Sequence, residues 1–262
     1  MHVVVITKST PDTEATVTVK PDGSIDFGEK LVVNPWDEYA ITEAVLLKDA
    51  HKVKATIMTL GAQVHQEALK HGLAIGCDQA IRVWDKALEQ GYDSLVYANA
   101  ITAAIKKLGD VDLIIFGKEF SDISSDQHIF QTARKLGWNA LGFVGKIEAV
   151  DFSAKTIRVR RMTEQGTQIT TSQLPAVISV LKDINEPKYP TFIGIRKAAK
   201  ADMPVWGAAE LGLDAAALTP QAKLVRYQEL PKREGTVEII DGATAQEKAQ
   251  KLVDKLMEEK II

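Results

Sequence analysis

Short apolar runs recur along the first half of the chain, and each is followed by apolar residues at helical spacing. Residues 3–7, 55–60, 80–84 and 113–116 are runs of the kind buried on both faces of a sheet. Between them, Trp36, Ala40, Ala44 and Leu47 form one helical stripe, and residues 64–75 and 95–108 form two more. Asn34 suits the N-cap of the first helix, Pro35 its first turn, and Asp37 and Glu38 its positive end. Gly76 and Gly109 supply helix stops. Residues 15–20 and 24–27 flank Pro21-Asp22-Gly23, which is turn chemistry for a hairpin. This alternation predicts an α/β fold, doubly wound, with a mostly parallel sheet.

The pattern changes after about residue 140. Residues 142–150, 156–162, 167–173 and 176–181 read as consecutive strands with short turns, an antiparallel extension. Six of the nine prolines then fall between Pro175 and Pro231, and residues 200–235 are mostly small and polar. Alone, that stretch has too little contiguous apolar surface to offset its ordering entropy. A last helix follows, with the capping box Thr244-x-x-Glu247 and the stripe Ala245, Ala249, Leu252, Leu256. The expected organisation is a core over residues 1–190 and a C-terminal arm over 191–262. The arm either docks on another chain or folds back on its own core.

Residues 111–138 carry the most specific local signal. The run 113–116 ends at Gly117, a polar loop follows, and Ser124 and Gln127 stand in capping-box spacing. Ile129, Ala133 and Leu136 continue as a helix, Lys135 sits in its last turn, and Gly137 stops it. Strand, glycine, loop and capped helix would direct backbone N–H groups at the carboxyl edge of the sheet, where α/β proteins hold phosphate. The plainer reading is one more βα crossover.

Composition narrows the function. Apolar residues make up 45% of 262, enough for a sizeable core. A net charge of −3 provides no field for nucleic acid or anionic lipid, and no run approaches a transmembrane span. The chain enters Val3 to Ile6 with no charged leader. One cysteine, Cys77, forbids an internal disulfide and fits a packed residue in a reducing, cytoplasmic setting. The histidines, His2, His51, His65, His71 and His128, lack metal-ligand spacing and read as surface or helix-end residues. No nucleophile elbow, zinc motif, Walker loop or dinucleotide fingerprint is present. A protein that only holds a redox cofactor needs no acid–base set, because the cofactor carries the chemistry.

Four ordered pieces then resemble one family, the beta subunit of electron-transfer flavoprotein, over essentially the whole chain. They are Asn34-Pro-Trp-Asp-Glu-Tyr-Ala-Ile-Thr-Glu-Ala-Val, the loop from Gly117 to His128, Leu174-Pro-Ala-Val-Ile-Ser-Val, and Asn185-Glu-Pro-Lys-Tyr-Pro-Thr-Phe-Ile-Gly-Ile-Arg-Lys-Ala. The resemblance implies a heterodimer in which an alpha subunit makes most FAD contacts and this chain binds AMP, with no catalytic residues of its own. Electrons would come from acyl-CoA dehydrogenase-type donors and pass to a membrane quinone reductase, with no direct insertion of this chain in the membrane.

The positions matching the family's AMP site are Ile6, Asn34-Pro35-Trp36-Asp37, Leu60 and Gly61, and Gly117-Lys118-Glu119-Phe120-Ser121-Asp122-Ile123-Ser124-Ser125-Asp126-Gln127-His128. Ser124, Ser125 and the amides after them would take the phosphate. Asn34 is either a nucleotide contact or only a helix cap, and Leu60 either a contact or core. Trp36 matches an aromatic near the partner's flavin, or else plugs the core. A second family aromatic, in the first loop, is replaced by Thr13. Tyr189-Pro190-Thr191-Phe192-Ile193-Gly194-Ile195-Arg196-Lys197 matches the loop that grips dehydrogenases, with Phe192 as apolar anchor flanked by Lys188, Arg196 and Lys197. Packing under the arm is its other reading.

Departures from the family limit the transfer. Ile123 replaces an acid, His128 brings bulk where a small hydroxyl is usual, and Met162 stands after Arg161 where an acid often pairs across the subunit interface. Electron-bifurcating relatives place a second FAD in the same pocket, and the loop here matches neither pattern well. Three readings stay open: an AMP-binding beta subunit, a bifurcating subunit with a second FAD, and a stand-alone adenine-nucleotide-binding domain.

Overall fold

A sheet buried on both faces needs helices divided between them, and the chain folds this way. The computed structural model describes all residues except 29, 89–92, 233, 234 and 236. In chain order the strands are β1 (His2–Thr7), β2 (Ser9–Pro11), β3 (Thr18–Val19), β4 (Ile25–Asp26) and β5 (Leu31–Val33). Helix α1 (Pro35–His51), β6 (Lys54–Leu60), α2 (Gln66–Ile75), β7 (Gln79–Val83), α3 (Ser94–Leu108), β8 (Leu113–Gly117) and α4 (Gln127–Leu136) complete the alternating half. Then come β9 (Asn139–Asp151), β10 (Thr156–Thr163), β11 (Gly166–Gln173), β12 (Ala176–Val180), α5 (Phe192–Ala198), β13 (Val205–Trp206), α6 (Ala215–Leu218) and α7 (Ala245–Glu258).

Nine strands form one sheet in the order β11-β10-β9-β12-β8-β1-β6-β7-β13. From β9 through β13 every neighbouring pair is parallel, and only β9-β10-β11 is antiparallel. Val3, Val5, Ile57 and Ile115 pack with Ala40, Ile41 and Leu69 on the α1/α2 face. Val4, Ile6, Met58 and Phe116 pack with Tyr97, Ile101 and Ile129 on the α3/α4 face. From β1 the chain steps to β6 and β7, and from β8 it steps the other way. The winding therefore reverses between β1 and β8, and a crevice opens at their carboxyl ends.

Several expectations are corrected. The run 176–181 was expected in the antiparallel extension; instead β12 enters the parallel sheet between β8 and β9. All five of its residues are buried, which suits a central strand rather than an edge. Helix α4 begins at Gln127, not Ser124, and Asp126 at its cap position makes no side-chain cap. The Phe120 N–H donates to the Ser125 carbonyl at 3.0 Å, and Ser124 turns the chain between them with φ +46°. The serine–glutamine spacing therefore marks a closed loop, not a capping box. Residues 63–65 form a separate 3-10 turn before α2. His2, read as a surface or helix-end residue, is instead a buried strand residue, whereas His128 stands at the start of α4 as a helix-end residue, though buried.

Residues Met1–Arg226 form one compact unit and Tyr227–Ile262 a second. The first runs past residue 190, because β13 adds to the sheet edge beside β7 and Ala198 and Ala208 are buried. Sheet pairing thus orders part of the stretch that seemed too polar to fold; its residues 233 and 234 lie outside the described ones. In the second unit α7 has its capping box: Thr244 Oγ1 accepts from the Glu247 N–H at 3.2 Å, and Glu247 Oε2 from the Ala243 N–H at 2.9 Å. Among the described residues no helix is long and apolar enough to cross a membrane.

Candidate functional site

The crevice is built from the start of α1 and the loop after β8. A Cβ on Gly117 would lie 2.4 Å from Asp37 Oδ1 and 2.7 Å from the Trp36 carbonyl carbon, so only glycine lets β8 end there. Asn34, fully buried, stands at the α1 cap position without capping it. Its side-chain amide donates to Asp37 Oδ1 at 2.9 Å and to the Glu119 carbonyl at 2.8 Å, and its Oδ1 accepts from the Ser121 N–H at 3.1 Å. Asn34 is thus the clasp between helix and loop. Asp37 also accepts from the Lys8 N–H at 3.0 Å, and burial pushes its carboxyl up to about 7 despite these donors. Trp36 is half-buried, with the Lys118 ammonium 5.0 Å from its ring centroid. Pro35 opens α1, and Ile6 lies fully buried in β1.

Inside the loop, Phe120 and His128 stack with centroids 4.2 Å apart and planes 8° apart. Tyr97 meets both rings edge-on at 5.3 and 5.2 Å, and Phe116 meets His128 at 5.5 Å. Burial holds the His128 imidazole neutral, its pKa lowered to about 3. The residue that departs from the family pattern therefore serves an aromatic cluster that closes the loop over β8. Outside it, Lys8 Nζ pairs with Asp122 Oδ2 at 2.6 Å. Ile123 packs against the α3/α4 core. The Ser125 hydroxyl donates to Gln127 Oε1 at 3.3 Å.

Beside this loop a cleft of about 500 Å³ opens, within the range of small-molecule sites. Its lining comes from the carboxyl ends of β1, β6 and β7 and the first turn of α3: Lys8, Leu60, Gly61, Ala62, His65, Trp84, Leu88, Asp93, Val96 and Tyr97. Of the positions taken from the sequence, Leu60 and Gly61 line it, while Asn34–Asp37 and the loop are clasped together at its edge. The His65 ring lies on Gly61, where a Cβ would be 2.2 Å from His65 Cδ2. Burial lowers its pKa to about 4, and its Nδ1 accepts from the Ser9 N–H at 3.2 Å. Asp93 caps α3 through Oδ1, to the Leu95 and Val96 N–H groups, and through Oδ2 it holds the Gln221 and Ala222 N–H groups at 2.8 Å. Sequence reasoning missed Lys8, Trp84, Asp93 and Tyr97. Each lies at a strand's carboxyl end or a helix start next to the reversal, which is the positional signal that would have found them. Among the described residues no group of histidine, cysteine and carboxylate side chains could hold a metal.

The second predicted region is a short helix rather than a loop. Asn185 donates to the Tyr39 carbonyl at 3.1 Å and to Glu43 Oε2 at 2.8 Å, and the Lys188 N–H donates to Thr42 Oγ1 at 3.0 Å, strapping the segment to α1. Thr191 caps α5, accepting from the Gly194 N–H at 3.0 Å. A Cβ on Gly194 would lie 2.0 Å from the Ala74 carbonyl oxygen, so α5 sits directly on the end of α2. Ala198 is buried, whereas Tyr189 is 90% exposed, Phe192 75% and Ile193 67%. Ile195, Arg196 and Lys197 are also exposed, and Pro190 is half-buried. A rigid support therefore presents apolar side chains to solvent, a recognised sign of an interaction surface.

Comparison with known proteins identifies the family. The model of the electron transfer flavoprotein domain matches residues 24–211. The electron transfer flavoprotein subunit beta of Megasphaera elsdenii is 31% identical, covering all of both chains. The caffeyl-CoA reductase-Etf complex subunit CarD of Acetobacterium woodii is also 31% identical over all of both. Protein FixA of Azotobacter vinelandii is 34% identical over 82% of this chain and 77% of its own. The chain belongs to the electron transfer flavoprotein family, among its beta-type subunits.

Proposed function

We propose that this chain is the beta subunit of a heterodimeric electron-transfer flavoprotein, working in the cytoplasm as a carrier without catalytic residues. AMP occupies the cleft beside the β1/β8 reversal, and an alpha subunit makes most of the contacts to FAD. Electrons pass from acyl-CoA dehydrogenase-type donors, docked on the α5 surface, to a membrane quinone reductase. The observation that carries the reading is the cleft itself. It lies at the carboxyl edge of three parallel strands, where doubly wound folds bind nucleotides, and its aromatic walls Trp84 and Tyr97 suit a planar base. The flavin supplies the redox chemistry when bound. This chain's residues hold the nucleotide, exclude water and present the donor surface.

The same aromatic walls favour a second reading, in which a second FAD replaces AMP and the subunit bifurcates electrons. Counting nucleotides released from the purified, co-expressed heterodimer separates the two. One FAD and one AMP per pair is the expected result, and two FAD without AMP selects the second reading. A heterodimer whose beta subunit releases no nucleotide overturns both.

A further inference from the structure

Lys8 stands where the cleft wall, the loop after β8 and the start of α1 meet. Its backbone is fixed on both sides: its N–H donates to Asp37 Oδ2 at 3.0 Å, and its carbonyl accepts from the Asn34 N–H at 2.9 Å. Its side chain crosses to the loop, with Nζ 2.6 Å from Asp122 Oδ2 and 4.8 Å from the Phe120 ring centroid. Both side chains of the ion pair remain partly open to solvent, at 13% and 21%. Among the described lining residues the other charged group is Asp93, whose two oxygens are each held by two backbone N–H groups. Among the described lining residues Lys8 is thus the side chain suited to an anion, and the Asp122 carboxylate of the same chain already pairs with it.

We infer that Lys8 recognises the ligand's phosphate, and that Asp122 holds Lys8 in reserve as a stand-in anion until that phosphate arrives. This rests on the nucleotide reading of the cleft. A phosphate carries more negative charge than a carboxylate and accepts charge-assisted hydrogen bonds from lysine. Asp122 lies in an exposed turn and can swing into water, whereas Lys8 is anchored by its backbone. The exchange therefore moves the loop's acid and leaves the cation in place. It also gives the two partners of one ion pair opposite effects on binding, which a purely structural ion pair would not.

The test titrates the full chain, stripped of nucleotide, with AMP and with adenosine, which lacks the phosphate. Lys8→Met is expected to weaken AMP by about tenfold to a hundredfold and to leave adenosine unchanged. Lys8→Arg keeps most of the AMP affinity. Asp122→Asn tightens AMP several-fold without affecting adenosine. Thermal melts establish that each variant is folded, and the backbone bonds at Lys8 survive all of these changes. If FAD is the ligand, FAD and riboflavin replace AMP and adenosine in the same comparison. Equal weakening of AMP and adenosine in Lys8→Met, an unchanged AMP affinity in that variant, or an unchanged or weakened AMP affinity in Asp122→Asn overturns the inference. Wild-type protein that binds neither nucleotide sinks the parent reading instead, and that outcome shows before any variant is made.

Discussion

At the scale of single residues, Asn34 and Asp37 carry the junction between α1 and the loop after β8. Asn34→Ala would strand the Ser121 N–H, the Glu119 carbonyl and one Asp37 oxygen. Leaving buried polar groups unpaired costs about 1–3 kcal/mol. In a protein of this size the melting temperature should fall by roughly 2–4 °C per kcal/mol, readable in a thermal denaturation scan. Asp37 adds a pH dependence with a definite sign. Burial raises its folded pKa from 3.8 to about 7, so the folded state binds more protons than the unfolded state between those values. Its contribution to stability is therefore largest below pH 4, falls as pH rises, and levels off above about 7, a swing of about 4 kcal/mol at most. Asp37→Asn has no such titration. Urea unfolding from pH 4 to 8 should show the wild type losing ground against this variant through that window, and a constant difference would refute the assignment.

At the scale of elements, close approaches of backbone to backbone decide where the functional segments sit. Gly194 permits α5 to rest on the Ala74 carbonyl. Because the obstacle is backbone, no rotamer change relieves Gly194→Ala, and α5 must lift. The expected cost is about 1–3 kcal/mol of stability, together with weaker binding of the proposed dehydrogenase donor and unchanged content of the proposed nucleotide. Calorimetry and donor titration check the two halves separately. Much of this level was legible in the sequence. Apolar runs with helical stripes between them indicated the parallel sheet, and Thr244 with Glu247 marked the start of α7. The position of β12 was not legible, because a run such as Ala176 to Val180 is equally apolar in a parallel or an antiparallel setting; only its neighbours decide. Ser124 misled because a serine three residues before a glutamine looks the same in a cap and in a turn, and φ +46° is invisible in sequence. The burial of His128 at the start of α4 was not legible because it depends on the loop folding Phe120 back onto it and on Tyr97, distant in the chain. Trp84, Asp93 and Tyr97 join the cleft only once β7 and α3 are placed.

At the scale of the molecule, the two compact units differ in how they are held. The first, Met1–Arg226, has apolar cores on both faces of its sheet, whereas α7 in the second has no buried residue. Leu252 is 46% exposed, Val253 39% and Met257 60%. A helix of 14 residues is at the margin of what survives alone in water, and its local supports, among them the Thr244 cap, the Lys251–Glu247 pair at 2.8 Å and the Gln250–Asp254 bond at 2.9 Å, are modest contributors. The apolar stripe is the larger reservoir of stability, and it is realised only against another surface. With the alpha subunit as that surface, amide hydrogen exchange in Ala245–Glu258 should be fast in the isolated chain and slow by at least about tenfold in the heterodimer. Leu252→Asp combined with Met257→Asp should abolish that protection and weaken heterodimer formation. The nucleotide proposed for the first unit should be retained, because among the described residues none lining the cleft lies beyond Tyr97 in the chain. Equal exchange with and without the alpha subunit would place the stripe's partner elsewhere and remove the arm from the assembly interface.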